Sequence, residues 1–137
     1  MKKLVLFILS LFLILTTCAC NGDKAGILFN NVPITKETAL DYKTDFQPNQ
    51  RIYYLVLIPK KIYTQKIEIQ IIKKDNSYGR LGYNLYWSHF AHLKEEQMYY
   101  YDDYVVISQP GIYIMKIYSK DKPTKLLCSA EFYVGNN

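Results

Sequence analysis

The sequence is poor in residues that support covalent or metal chemistry. It has three cysteines and two histidines among 137 residues, and it contains no Gly-x-Ser-x-Gly segment of the kind that presents a catalytic serine. The adjacent carboxylates Asp102 and Asp103 would lie on opposite faces of a strand, whereas acid–base catalysis needs two groups that face one cleft. We therefore expect solvated turn residues there, and we predict that the chain is not an enzyme.

Only one cluster combines the residue types that ligate metals, namely His89, His92, Glu95 and Glu96. On a short helical turn, His89, His92 and Glu96 would share a face and hold zinc with one open position. The segment lacks the His-Glu-x-x-His arrangement that supplies a general base. The prediction is therefore two polar histidines in a surface loop, with no metal and no cofactor.

The sequence also has no apolar run long enough to cross a membrane as a helix. Residues 4 to 17 are uncharged, but this run is shorter than the roughly 18 apolar residues that a spanning helix needs. Two lysines precede it, and Cys18-Ala19-Cys20 follows it. A basic start, an apolar stretch and small residues at its end are typical of a cleaved export signal.

The segment Thr16-Thr17-Cys18-Ala19-Cys20 resembles the lipobox of bacterial lipoproteins, in which a small residue precedes a cysteine that is lipidated and becomes the mature N-terminus. Cys20 matches because Ala19 precedes it. Cys18 is the alternative, because Leu15 lies three residues before it. The resemblance implies a lipid on Cys20 that anchors the chain to the cell membrane or the outer membrane, with the domain facing the periplasm or the cell exterior.

Cleavage before Cys20 divides the chain into a signal peptide (1–19), a tether (20–31) and one domain (32–137). This length suits a single modest core. Loss of Lys2 and Lys3 would lower the net charge from +5 to +3. Because the remaining lysines are scattered, we predict no nucleic-acid partner. With Cys20 lipidated, Cys128 is the one cysteine left in the domain, so no disulfide forms within it.

The remaining sequence predicts strands. Helical periodicity is scarce, and from residue 51 to residue 134 short runs rich in Ile, Val and Tyr are separated by Pro, Gly, Asn, Asp and Lys. Ile67, Ile69 and Ile71 alternate with polar residues, as in a half-buried strand. Ile112 to Ser119 and Leu126 to Val134 predict a hairpin. Strands at regular spacing predict an all-β sandwich of about seven strands.

The segment Gln109-Pro110-Gly111-Ile112-Tyr113 resembles the tyrosine corner of immunoglobulin-like sandwiches, in which the phenol bonds back to the backbone of the preceding connection. Trp87 would then correspond to the core tryptophan. Met115 stands where antibody domains have their second cysteine, so the resemblance concerns the architecture. It implies an immunoglobulin-like antiparallel β-sandwich.

Alternation along the predicted hairpin separates a core face from an outer face. The core face would carry Tyr113 and Phe132. The outer face would be unusually apolar, and an outer sheet face of this kind is a candidate binding surface or homodimer interface. It would present Ile112, Ile114, Tyr118, Leu127 and Tyr133, and the strand from Leu81 to Ser88 would add Tyr86 to it. Alternatively, the segment from Ile27 to Ile34 folds over this face and covers it.

These observations predict an exported lipoprotein that acts as a non-catalytic binding or structural module at the bacterial cell envelope, with a protein or an envelope component as its partner. The 14 tyrosines are compatible with a binding surface, because tyrosine provides rigid amphipathic contact area. The alternative is an inhibitor or immunity-type lipoprotein that blocks an enzyme. The sequence leaves the oligomeric state open.

Overall fold

A computed structural model describes residues 24–59, 61–75, 82–93, 100–121 and 124–135. Within these ranges the chain forms eight β-strands and no helix. The strands are β1 (Gly26–Asn30), β2 (Asp45–Phe46), β3 (Arg51–Leu57), β4 (Lys66–Asp75), β5 (Gly82–His92), β6 (Tyr100–Val106), β7 (Gly111–Ser119) and β8 (Lys125–Val134). Val, Ile and Tyr dominate them because these side chains pack well on a pleated surface.

The strands form two sheets. The smaller sheet has the order β1-β3-β6, and the larger has the order β2-β8-β7-β4-β5. All pairs are antiparallel except the short β2, which runs parallel to the end of β8. The all-β sandwich predicted from the sequence is therefore confirmed, with eight strands where about seven were expected. The predicted hairpin is β7 and β8, and it lies inside the larger sheet.

The first strand corrects the predicted boundary of the tether. Gly26–Asn30 pairs along its whole length with β3, so these residues belong to the smaller sheet and not to a spacer ending at residue 31. Phe29 is buried, and its ring lies 5.0 Å from that of Phe132 on the larger sheet. The alternative in which residues 27 to 34 cover the outer face of the larger sheet is wrong, because burying Phe29 between the sheets requires β1 in the smaller one.

The core lies between the sheets and is built from alternate residues of each strand. Ile67, Ile69 and Ile71 of β4 are all buried, as their alternation predicts. An aromatic cluster closes one side of the core. Phe132 lies at its centre, with Phe29, Phe46 and Tyr113 at ring-centroid distances of 5.0, 6.1 and 5.6 Å. One residue thus joins strands of both sheets.

The tyrosine corner is present. The Tyr113 hydroxyl donates a hydrogen bond of 2.7 Å to the backbone oxygen of Gln109, and burial raises the pKa of this phenol to about 12. Gly111 has φ of +153°, and a Cβ there would lie 2.8 Å from Cε of Lys73. Trp87 differs from its predicted role: it packs against the core but is only half-buried, because it lies on β5 at the edge of the larger sheet.

Asp121 joins two loops at one end of the sandwich. Its Oδ2 accepts hydrogen bonds from the Thr64 hydroxyl at 2.7 Å and from the backbone N–H groups of Gln65 at 2.6 Å and Lys66 at 3.3 Å. These bonds favour the charged form, so they lower the pKa of Asp121. The carboxylate therefore ties the β7–β8 loop to the start of β4.

We expect Asp121→Ala to lower the free energy of unfolding at pH 7 by about 1–3 kcal/mol, because it removes an acceptor that serves partly buried donors. A carboxylate whose pKa is lowered by folding stabilises the protein above its unfolded pKa, near 4, and loses this contribution as the pH falls through the folded value. Urea unfolding at pH 7 and pH 3 should therefore show a difference from wild type that shrinks in acid. Asp41→Ala, at an exposed position, serves as control. A difference independent of pH would contradict the role of the Asp121 charge.

Candidate binding surface

The outer face of the larger sheet is the surface turned away from the smaller sheet, and the strand register shows which residues share it. Ile114 of β7 lies beside Ile72 on one side and Glu131 on the other, and Ile112 lies beside Tyr133. Four of the predicted binding residues are together on this face, namely Ile112, Ile114, Tyr118 and Tyr133. These four side chains therefore lie on one face of the sheet.

The other two predicted residues, Tyr86 and Leu127, lie on the opposite side. Each stands at a β-bulge: β5 shifts register against β4 between Ile71 and Ile72, and β8 shifts against β7 between Ile117 and Tyr118. A bulge inserts an extra residue, so the alternation of faces changes phase. Tyr86 and Leu127 consequently pack against the core, and the Tyr86 ring makes an edge-on contact of 5.3 Å with that of Tyr113.

The same bulges place on the outer face residues that unbroken alternation would place in the core. Leu85 pairs with Ile72 and Tyr83 with Lys74, and the two side chains are 60% and 61% exposed. Leu126 pairs with Tyr118 and is 44% exposed. Phe90, on the other side of the β5 bulge, is 61% exposed. Unbroken alternation places Tyr83, Leu85 and Leu126 in the core, and the sequence carries no signal of where the bulges fall.

Four of the charged groups on the outer face form two ion pairs. Lys74 forms an ion pair with Glu131, and Lys120 pairs with Glu68 at 3.0 Å. Glu68 also accepts hydrogen bonds from the side chains of Gln70 at 2.7 Å and Ser88 at 3.2 Å. These bonds hold the pKa of the Glu68 carboxyl below its usual value, and the bond from Gln70 has the largest effect. Such internal pairing reduces the cost of covering this surface with a partner, because the charges already have partners of their own.

A cleft of about 350 Å³ opens at one end of the outer face. Ile112 and Tyr133 form its apolar lining, and Asp45 and Glu131 contribute carboxylates. Its floor is fixed, since the neighbouring Phe132 is buried in the core. An apolar side chain with a donor group at its tip would fit this combination of surfaces.

The residues considered for catalysis or metal binding do not assemble. His89 and His92 lie on β5 and not on a helical turn or a loop; His89 pairs with buried Ile69 and His92 with exposed Lys66, so they point to opposite faces. Glu95 and Glu96 lie outside the described residues. Within the described ranges no three His, Cys, Asp or Glu side chains are close enough to share a metal ion.

Asp102 and Asp103 occupy successive positions of β6, opposite Leu55 and Tyr54, rather than a turn. They therefore face different sides of the smaller sheet, as expected for neighbours in a strand. Cys128 is partly buried, and burial raises the pKa of its thiol to about 12. A thiol with so high a pKa is a poor nucleophile at neutral pH.

Cys18 and Cys20, the two candidates for lipidation, lie outside the described residues. Among the residues that are described, no helix has the length and apolar character needed to cross a membrane.

No protein-family model matches this chain, and no curated protein matches it. Solved structures share its fold. The soluble domain of PmoD from Methylocystis sp. ATCC 49242 (Rockwell) is similar with a TM-score of 0.52 at 12% identity, covering 81% of this chain and 90% of that one. A superoxide reductase (neelaredoxin) from Ignicoccus hospitalis gives a TM-score of 0.49 at 8% identity, covering 82% and 80%. At 12% identity, the likeness to the PmoD domain shows the β-sandwich fold alone.

Proposed function

We propose that this chain is a lipid-anchored, exported lipoprotein whose sandwich domain binds a partner protein at the bacterial cell envelope and performs no catalysis. The observation that carries the binding role is the outer face of the larger sheet. Tyr83, Leu85, Phe90 and Tyr133 are each 45–61% exposed there. Tyr83, Leu85 and Tyr133 share two neighbouring cross-strand rows with Ile72, Ile112 and Ile114, whereas Phe90 lies beyond a polar row. The polar row consists of Ser88, Gln70, Lys116 and Ser129. A cluster of exposed apolar side chains on a folded domain marks an interaction site, whereas single exposed residues need no explanation.

The chemistry of the face supports a protein as the partner. Large apolar and aromatic side chains surround ion pairs that are already formed, such as Lys74 with Glu131. Aromatic side chains are enriched at protein interfaces, and charges that are already paired can be covered there at a lower cost than single charges. The edge strand β5 contributes three of the exposed side chains, and tyrosine and phenylalanine are well suited to fill pockets on a partner.

The double variant Leu85→Lys, Tyr133→Ser tests this role. Both side chains are exposed, so we expect the variant to keep cooperative unfolding and to lose at least about tenfold in capture of the partner, because one interfacial charge and one lost aromatic anchor cost about 2 kcal/mol or more. Capture is measured by cross-linking and quantitative mass spectrometry in solubilised envelopes of the source cell.

Val106→Lys, Tyr104→Ser is the matched control. These side chains are 50% and 45% exposed and lie on the smaller sheet. We expect the control to capture the same proteins as the wild type. Equal capture by wild type and the outer-face variant would contradict the proposal, as would an outer-face variant that unfolds.

A further inference from the structure

The two ends of the sandwich differ in charge, and the end at which the tether enters is the basic one. The register places the start of β1 beside the end of β3 and the start of β6, since Gly26 pairs with Leu57 and Leu57 with Tyr100. In the larger sheet the start of β4 and of β8 lie at this same end, because Lys66 follows the β3–β4 loop and Lys125 pairs with Ser119. We call this end the tether pole.

The tether pole carries exposed lysines with few acidic groups. Its exposed cations are Lys24, Lys61, Lys66 and Lys125. Among the described residues, three acidic side chains lie near it. Asp121 accepts hydrogen bonds from three donors, Glu68 is paired with Lys120, and Asp102 is exposed near the start of β6. At the opposite end, exposed positive and negative side chains are mixed. The positive ones are Lys36, Lys43 and Arg51, and the negative ones are Glu37, Asp41, Asp45 and Glu131.

The tether pole also exposes apolar and aromatic side chains. Tyr63 is 71% exposed, and Leu57 and Tyr100 are each 44% exposed. Lysines combined with tyrosine and leucine suit the boundary between lipid headgroups and acyl chains, because amphipathic rings settle at the headgroup level and ammonium groups are attracted to anionic lipids.

The length of chain before the sandwich determines what this pole faces. If Cys20 carries the lipid, six residue steps separate it from Gly26, and these span at most about 21 Å when fully extended. The ten-residue strand β4 is itself about 33 Å long. A tether shorter than the domain that it holds keeps the tether pole near the lipid surface.

We propose that the tether pole docks on the anionic headgroups of the membrane that holds the anchor. This inference rests on the lipid anchor of the proposed function. Docking directs the opposite end of the sandwich away from the membrane. The outer face of the larger sheet is then parallel to the membrane normal, so a partner can reach it from the side.

The test uses the full chain purified from membranes and added to vesicles of phosphatidylcholine alone or of phosphatidylcholine with phosphatidylglycerol. Flotation first reports the anchor: the chain should float with both vesicles, and Cys20→Ser should not float with phosphatidylcholine. Acetylation rates of individual lysines, read by mass spectrometry, then report the docking. On phosphatidylglycerol we expect Lys66 and Lys125 to react at least about fivefold more slowly, with Lys36 and Lys43 unchanged.

High salt should remove this protection, because lipid headgroup charge is screened within a Debye length. The charge reversal Lys24→Glu, Lys125→Glu should abolish the protection of Lys66, and Lys36→Glu, Lys43→Glu should preserve it. Uniform acetylation of a chain that floats overturns the docking and leaves the anchor intact. A chain that floats with neither vesicle overturns the anchor, and the docking with it. If the variant Lys24→Glu, Lys125→Glu does not fold, the native chain still tests the docking, because its lysine acetylation rates are compared between the two kinds of vesicle.

Discussion

Replacing Phe132 with alanine should cost about 3–5 kcal/mol of the free energy of unfolding, the range measured when large buried aromatic side chains are truncated. Phe132 is 1% exposed, and its ring contacts Phe29 of the smaller sheet as well as Phe46 and Tyr113 of the larger. The resulting cavity therefore opens between the sheets, where neighbouring side chains cannot collapse into it without moving a strand. A domain of this size is held by roughly 5–15 kcal/mol, so the loss takes a large share of its stability.

Urea unfolding of the purified chain measures this loss, and Leu126→Ala is its control. Leu126 lies on the same strand but is 44% exposed on the outer face, so its truncation should change stability by about 0.5 kcal/mol. The two variants also test the β8 bulge, because simple alternation places both side chains in the core. Equal destabilisation by Phe132→Ala and Leu126→Ala would refute the register described for β8.

Cys20→Ser should abolish lipid attachment and release the chain from the membrane fraction. The thiol of this residue is the group that the lipobox resemblance assigns to the lipid, and a serine hydroxyl does not replace the sulfur as the point of attachment. Incorporation of an alkyne analogue of palmitate, followed by gel fluorescence, measures the attachment. We expect the label to disappear completely, which makes this the largest effect expected of any substitution in the chain.

Cys18→Ser is the informative comparison for the anchor. It should keep the label and the membrane location, because the small residue Ala19 lies before Cys20 and the larger Thr17 before Cys18. Loss of the label in Cys18→Ser with retention in Cys20→Ser would move the anchor to Cys18. Cys128→Ser should be labelled like the wild type, since that thiol lies on β8 within the folded domain.

Local sequence patterns predicted the fold class and two of its details. The alternation of Ile67, Ile69 and Ile71 requires only that each residue of a strand points opposite to the next, and all three are buried. The tyrosine corner is contained in five consecutive residues, and the bond from Tyr113 to Gln109 forms within them. Such features depend on neighbours in sequence, so they are readable without the tertiary structure.

The composition of the candidate surface was decided by contacts that no local pattern encodes. The bulges at Tyr86 and Leu127 exchange the faces of Leu85 and Leu126, and a bulge is fixed by the register of the neighbouring strand. The sheet to which β1 belongs is decided in the same way, because β1 pairs with β3 and Phe29 packs against Phe132 of the other sheet, and both partners are distant in sequence. The sequence by itself predicted β4, β7 and β8, because side-chain alternation is a property of each strand alone, but it missed β1 and the strand positions of His89 and Asp102. The tertiary structure decided which face each residue joins, because register and sheet membership depend on residues far apart in the chain.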